Sequence, residues 1–379
     1  MLIYVIIIGV ATGFAFLSQV GETIMVENTK EQADSLSIRK TQALEGMRKV
    51  FFALSFLVLW FFSAFATNGT DRISYAMIFW RTGLESLKEG FLEPGFQIFN
   101  LMVRFWSSDV QVLYITITTV TLGLLYATFY YLRKEIKIGY AVLAYGCLFY
   151  VQSLSLMRMY LAAAILFWGV RFLKQQQYIK YVLVILLTSL IHYSVLLVLL
   201  PMLIIYFLHH KKYEIKVNIF LIIILCMGGF MLLRMGESLL AQIPMFTRFQ
   251  HYFIDISFAQ IGMAQFAYFL PLCMFLFMIW YTLDENYKRI FFAFLLTSFL
   301  VAIMSYLVHI LGRALALFPL VYLWMIPYGI RRLGERNASK LLYYGVQLGV
   351  IFYYIFRFYI YIYEYQILDQ VVPYTNKFF

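Results

Sequence analysis

The sequence predicts an all-α polytopic membrane protein, and three observations carry that prediction. Of 379 residues, 63% are hydrophobic and 13% charged, against roughly 25% charged and 45 to 50% apolar in a soluble domain. Apolar runs at Met1 to Val20, Phe51 to Ala66, Val110 to Leu132, Val217 to Leu233 and Phe266 to Leu283 reach or approach the roughly 20 residues that cross hydrocarbon as a helix. The 30 Lys and Arg, which outweigh 19 Asp and Glu to give a net charge of +11, fall between these runs. A distribution along one polar stripe would suggest nucleic acid; this one is the positive-inside sorting of membrane loops.

Backbone groups in hydrocarbon must be satisfied within their own segment, so the runs are read as helices. The first lacks a basic n-region and is followed by many more, so it reads as a retained span and not a signal peptide. Residues 21–50 carry Lys30, Arg39, Lys40, Arg48 and Lys49, gathered toward the second span, which places this segment in the cytoplasm and the N-terminus outside. Alternating from there puts Arg133, Lys134 and Lys137 inside, then Arg171, Lys174 and Lys180, then Lys211, Lys212 and Lys216, then Lys288 and Arg289, then Arg331, Arg332, Arg336 and Lys340. Twenty of the 30 basic residues then face the cytoplasm, and the C-terminus lies outside.

This map forces Tyr181 to Leu208, 28 residues between two inside lysines, to cross an even number of times. Two full helices need more chain. The expected solution is a short helical pair near 181–208 that bends at Ser189 to Ser194, with His192 at the bend; one long buried helix is the alternative. Outside, residues 67–109 hold apolar positions at helical spacing on either side of the turn signals between Gly90 and Gly95. Two interfacial amphipathic helices are expected there. A second outer segment covers 236–260. The reading is a single transmembrane domain over 1–379, of about ten full spans plus the short pair.

Chemistry is expected where charge interrupts the spans. Arg158, in QSLSLMRMYLAAA, costs about 2.5 to 3.5 kcal/mol near a helix centre and less near an interface. Either it grips a phosphate through its planar fork, or it is an interface anchor held by a carboxylate or helix carbonyls. Arg313 stands beside His309 and Gly312 in SYLVHILGRALALFP, where it is a second candidate for the same anion. Arg158, Arg234, Arg248, Arg313 and Arg357 all fall outside on this map, where positive-inside sorting predicts a deficit; at least two are expected to line one anionic cavity. His192, in LIHYS, is a candidate general base or phosphate ligand, or a packing histidine. Asp71 follows the Asn68 and Gly69 turn, where it or Thr70 can cap a helix, with Tyr75 on the same face. In a functional role, Asp71 or Glu93 would orient a sugar hydroxyl or take its proton.

Cys147, Cys226 and Cys273 sit singly and form no metal or redox pair. HExxH, a DxD pair, a Walker A sequence and a dinucleotide fingerprint are absent from the sequence, so no metal, cofactor or nucleotide chemistry is expected. Any reaction must use a substrate already activated in the membrane.

In NGTDRISY (Asn68 to Tyr75), LEPGF (Leu92 to Phe96), SLMRMYLAAAI (Ser155 to Ile165), LIHYSVLLVLLP (Leu190 to Pro201), GRALALFP (Gly312 to Pro319) and VVPY (Val371 to Tyr374), the chain resembles the EpsG family of Wzy-like polymerases of bacterial exopolysaccharide and capsule. The resemblance implies a GT-C-like helical fold in the cytoplasmic membrane and a metal-independent transfer at its outer face. The growing glycan on polyprenyl diphosphate would pass to the non-reducing-end hydroxyl of a new lipid-linked oligosaccharide repeat. Arg158 and Arg313 would hold the diphosphate. His192, Asp71 or His309 would be the base, and Tyr75, Glu93, Arg234 and Arg248 would make further substrate contacts. Membrane lipids, a flippase and a chain-length regulator of the same pathway are the partners implied. Where the family's arginine beside Gly312 often continues into tyrosines, Ala314 to Leu317 follow here. A flippase or exporter of lipid-linked glycans and a membrane acyltransferase are the rival functions.

Overall fold

The computed structural model describes residues 1–28, 35–85, 92–209, 263–305, 310–318, 321–336 and 339–378. Among them, seven helices are long and apolar enough to cross a membrane: Leu2–Gln19, Gln42–Ala64, Val110–Leu132, Ile138–Ser155, Glu285–Met304, Leu311–Glu335 and Lys340–Tyr363. Three shorter apolar helical stretches, Tyr178–Ser189, Tyr193–His209 and Tyr268–Thr282, accompany them. The protein is thus all-α and polytopic. The expected span Val217 to Leu233 and the outer segment 236–260 lie outside the described residues.

Helix α1 (Leu2–Asn28) and α2 (Ser35–Ala64) pack on each other. Both run into the polar segment 21–50, which the sequence marks only by its charges. A helix keeps its internal hydrogen bonds on leaving hydrocarbon, and Glu, Gln, Lys, Ala and Met are good helix formers in water. The described parts of the polar stretch, up to Asn28 and from Ser35, therefore extend the two spans as helix.

The two expected interfacial helices are present as α3 (Asp71–Arg81) and α4 (Pro94–Trp106). Each buries one face, Tyr75, Ala76 and Phe79 on α3 and Phe96, Gln97, Asn100 and Val103 on α4. The opposite face is apolar and exposed, with Ile73, Met77 and Trp80 on α3 and Ile98, Met102 and Phe105 on α4. That is the pattern of helices lying in a headgroup layer. Next come α5 (Val110–Leu132), begun by Asp109 accepting from the Gln111 N–H at 2.8 Å, and α6 (Ile138–Ser155), which contains a π-helical turn at Gly146–Tyr150. Leu156, at φ −87° and ψ 47°, ends α6 and starts α7 (Met157–Trp168). That break puts Arg158 in the first turn of a new helix.

The chain contacts group into two compact units. Unit 1 comprises Met1–Val170, Leu187–Tyr193 and Tyr322–Phe379. It contains α1 to α7 and the final helix Lys340–Asp369, whose first turn is capped by the Ser339 hydroxyl. At one end of unit 1, Tyr4 donates to the Val371 carbonyl at 2.6 Å, Asn68 donates to the same carbonyl, and the Thr67 N–H donates to Thr375. Both termini of the chain and the NGTD turn therefore lie together. Gly69 holds φ +123° there, and a Cβ on it would stand 2.8 Å from the Leu154 oxygen, so only glycine fits. Unit 2 comprises Arg171–Leu186 and Ser194–Val321. Within it, Asn286 accepts from Tyr178 and donates to the carbonyls of Leu173 and Lys174.

The segment 181–208 is broken where its charge balance requires. Helix Tyr178–Ser189 stops, Leu190 to His192 form a turn, and a 3₁₀ stretch Tyr193–Val198 leads into Leu199–His209. Helices of 12 and 11 residues are each about 17 Å long, short of hydrocarbon thickness.

Candidate functional site

The turn at Leu190 to His192 is fixed by the start of α4. Pro94 occupies the first helical position of α4, and the N–H groups of Gly95 and Phe96 both donate to the Leu190 carbonyl, at 2.8 and 3.3 Å. A Cβ on Gly95 would lie 2.8 Å from that oxygen and 2.9 Å from its carbon. Gly95→Ala should therefore push the turn away at a cost of about 1 to 3 kcal/mol, read as a lower midpoint of thermal unfolding together with reduced activity. The LEPGF and LIHYS motifs, a hundred residues apart, are one construction.

Glu93 stands at the N-cap of α4, yet its side chain does not cap that helix. It forgoes a bond that contributes about 1 kcal/mol and turns toward Arg158 and His192. Oε2 accepts from Arg158 Nη1 at 2.6 Å, and Oε1 lies 3.6 Å from Nδ1 of His192 and 3.4 Å from the Tyr193 N–H. The side chain of Glu93 is 3% exposed, that of His192 14% and that of Arg158 18%, and both imidazole nitrogens are buried, so the cluster is sheltered. Burial pushes the Glu93 carboxyl up; the imidazole of His192 and the charge of Arg158 outweigh it and hold it down to about 2. Lowered in this way, the Glu93 carboxylate is a weak base.

Arg158 is further placed by its surroundings. Its guanidinium lies 5.4 Å over the Phe96 ring, and its backbone N–H donates to the Tyr75 hydroxyl at 3.4 Å. Tyr75 is itself buried edge-on against Phe96. Leu92, Leu113, Tyr114, Ile117, Met157 and Leu161 complete the apolar floor, with Ile191 against it. Only Nη1 of the fork bonds to Glu93, and Nε is buried without a hydrogen-bond partner among the described residues. The carboxylate anchor weighed for Arg158 exists, and donors of the fork remain beyond it.

Other expected site residues fall elsewhere. Asp71 lies in the first turn of α3, where its charge meets the helix dipole. Thr70 holds the N-cap position without a side-chain capping bond, and its N–H donates to the Asp369 carbonyl at the end of the final helix. Arg313 is exposed in unit 2. Arg357 donates to the Tyr353 hydroxyl. His309, Arg234 and Arg248 lie outside the described residues. Arg72 was not singled out from the sequence. It is 4% exposed, donates to the carbonyls of Ala66 and Ser63 and stacks 4.5 Å over Tyr114. Burial lowers its pKa to about 10; it is a structural cation holding the turn before α3.

Four of the six motifs, NGTDRISY, LEPGF, SLMRMY and LIHY, thus meet around one ion-paired cluster at the end of α5 that begins with Val110, and VVPY ties the same end to the chain termini. Fold and site define a polytopic helical membrane protein with a buried ion-paired cluster at one end of unit 1. The chain belongs to the EpsG family, whose profile matches residues 49–376. No curated protein and no solved structure matches it. The activity is that of this family, Wzy-type glycosyl transfer that polymerises lipid-linked glycans at the membrane without a metal.

Proposed function

We infer that the Glu93, Arg158 and His192 cluster is where the glycosidic bond is made, at the outer face of the cytoplasmic membrane. The donor is the growing glycan on polyprenyl diphosphate, and the acceptor is the non-reducing-end hydroxyl of a new lipid-linked repeat. The acceptor oxygen attacks the anomeric carbon, and the bond from that carbon to the diphosphate oxygen breaks. The acceptor proton passes to His192, and polyprenyl diphosphate leaves with the electron pair. Arg158 holds the diphosphate as charge grows on it, which lowers the barrier because the interaction is stronger in the transition state than before it. Glu93 orients the imidazole and stabilises the imidazolium that forms, the role a buried carboxylate plays beside any catalytic histidine. The observation that carries this reading is one carboxylate shared between a fork-bearing arginine and an imidazole at the start of a helix, whose dipole also favours an anion.

Among the described residues His192 is preferred to Asp71 as base because a carboxylate stands beside its imidazole; His309 stays the alternative base. The GT-C-like architecture belongs to the same proposal. Purified protein is expected to convert lipid-linked repeats into a ladder of polymers with no nucleotide sugar and no added divalent metal. Transport of that lipid across vesicles without a ladder would replace this reading with the exporter. His192→Gln should lower turnover by about 10² to 10⁴-fold with little change in donor KM; full turnover across the pH range would remove His192 as base.

A further inference from the structure

Arg133 follows the last residue of α5, 23 residues from the end that carries the Glu93 cluster, or about 35 Å of helix. At this opposite end of unit 1, a shallow recess open to the outside is lined by Ser18, Arg48, Lys49, Phe52, Tyr130, Arg133 and Ile138. Three cations meet there. Arg48 and Lys49 share one carboxylate, Glu45, at 3.5 and 3.4 Å, while the ion pairs among the described residues give Arg133 none. Its guanidinium is stacked 4.0 Å over the Tyr130 ring, Nη1 donates to the Tyr130 carbonyl at 2.7 Å, and Nε is buried without a hydrogen-bond partner among the described residues. The nearby Arg331 donates to the Arg133 carbonyl, and its own charge is answered by Glu335 at 2.9 Å.

Loop cations that only sort topology extend into water. Arg48 does not, since its side chain is 13% exposed, and Arg133 lies flat on a ring. Their inward placement around an opening, with an excess of positive charge and a buried unsatisfied donor, asks for an anion with several acceptor oxygens. Phe52 and Tyr130, with ring centroids 6.0 Å apart, supply an apolar wall beside the charges, which suits an ester whose other end is hydrocarbon. We propose that this recess binds the phosphate of an anionic lipid headgroup in the leaflet opposite the reaction site. Basic pockets between spans on the cytoplasmic side hold such headgroups by the same chemistry. Free phosphate would offer the same oxygens without the acyl chains.

The test is native mass spectrometry of the full-length protein in detergent, counting retained phosphatidylglycerol against phosphatidylcholine of equal chain length. Arg133→Gln, Arg48→Gln and Lys49→Gln should each lower phosphatidylglycerol retention about fivefold and leave phosphatidylcholine unchanged. Lys49 is exposed, so its substitution reads the site without risk to folding, and Arg133→Lys should keep most of the retention. Lys134→Gln, an exposed neighbour outside the recess, should change nothing. Equal losses with Lys134→Gln, or no loss with the three recess variants, would overturn the proposal. Inorganic phosphate displacing the lipid with the same arginine dependence would overturn the lipid as the source.

Discussion

Glu93→Gln is expected to abolish polymer formation, with turnover down at least about 10²-fold, although the substitution keeps size and shape. The amide cannot hold the imidazolium that forms as the acceptor loses its proton, and with one oxygen in place of two it cannot present an acceptor to both Arg158 and His192. The pair is shielded, so leaving the Arg158 charge unanswered should also cost about 1 to 3 kcal/mol of stability, below the full cost of breaking a buried pair because the guanidinium remains 18% exposed. A purely structural Glu93 would lose stability and activity together, and activity would return at low temperature or with a compensating stabilising change. An orienting Glu93 also moves the pH profile. Its folded pKa is lowered, from the ordinary carboxylate range to about 2. Its stabilising contribution is therefore present above the ordinary value and lost only as pH falls through about 2. An acid limb near neutrality cannot belong to Glu93 and is assigned to His192. Removing the negative charge disfavours imidazolium, so in Glu93→Gln that limb should shift to lower pH.

Arg158→Lys is the second large effect. Lysine keeps one charge but has no planar fork, so it cannot bind Glu93 through one arm and offer parallel donors to a diphosphate through the others. A loss of about tenfold to 10²-fold in kcat/KM is expected, most of it in turnover if the contact tightens as the leaving group gains charge. Arg158→Ala should lose more. A lysine variant with unchanged turnover and donor affinity would leave Arg158 as an anchor for Glu93 alone.

Much of the fold could be read from local composition because hydrocarbon imposes a local rule. Val110 to Leu132 emerged with the boundaries its hydropathy indicates, and α3 and α4 fall within 67–109 as expected, with Gly95 inside the first turn of α4. The break near His192 coincides with the bend expected at Ser189 to Ser194, an expectation drawn from the lysines on either side of a stretch too short for two full helices. Residues 21–50 were less legible, because hydropathy detects the bilayer edge and not the end of a helix. The site was legible in its members and not in its pairings. Glu93, Arg158, Tyr75 and His192 each stood out as charge or aromatic at the edge of an apolar run. Nothing local says that a carboxylate at an N-cap position turns from its own helix toward a histidine 99 residues later. Arg72 was missed for a related reason, since its partners are backbone carbonyls, which have no signature in the sequence. The kink at Leu156 carries neither glycine nor proline, so it too left no mark.

The most direct test is a double-mutant cycle in the polymerisation assay, comparing Glu93→Gln, His192→Gln and the double variant at saturating donor. If the carboxylate acts through the imidazole, the double variant should be about as slow as His192→Gln alone, because residues of one catalytic unit are strongly non-additive. Losses that multiply would mean two independent roles and would contradict the assignment of this cluster as a single proton-transfer site.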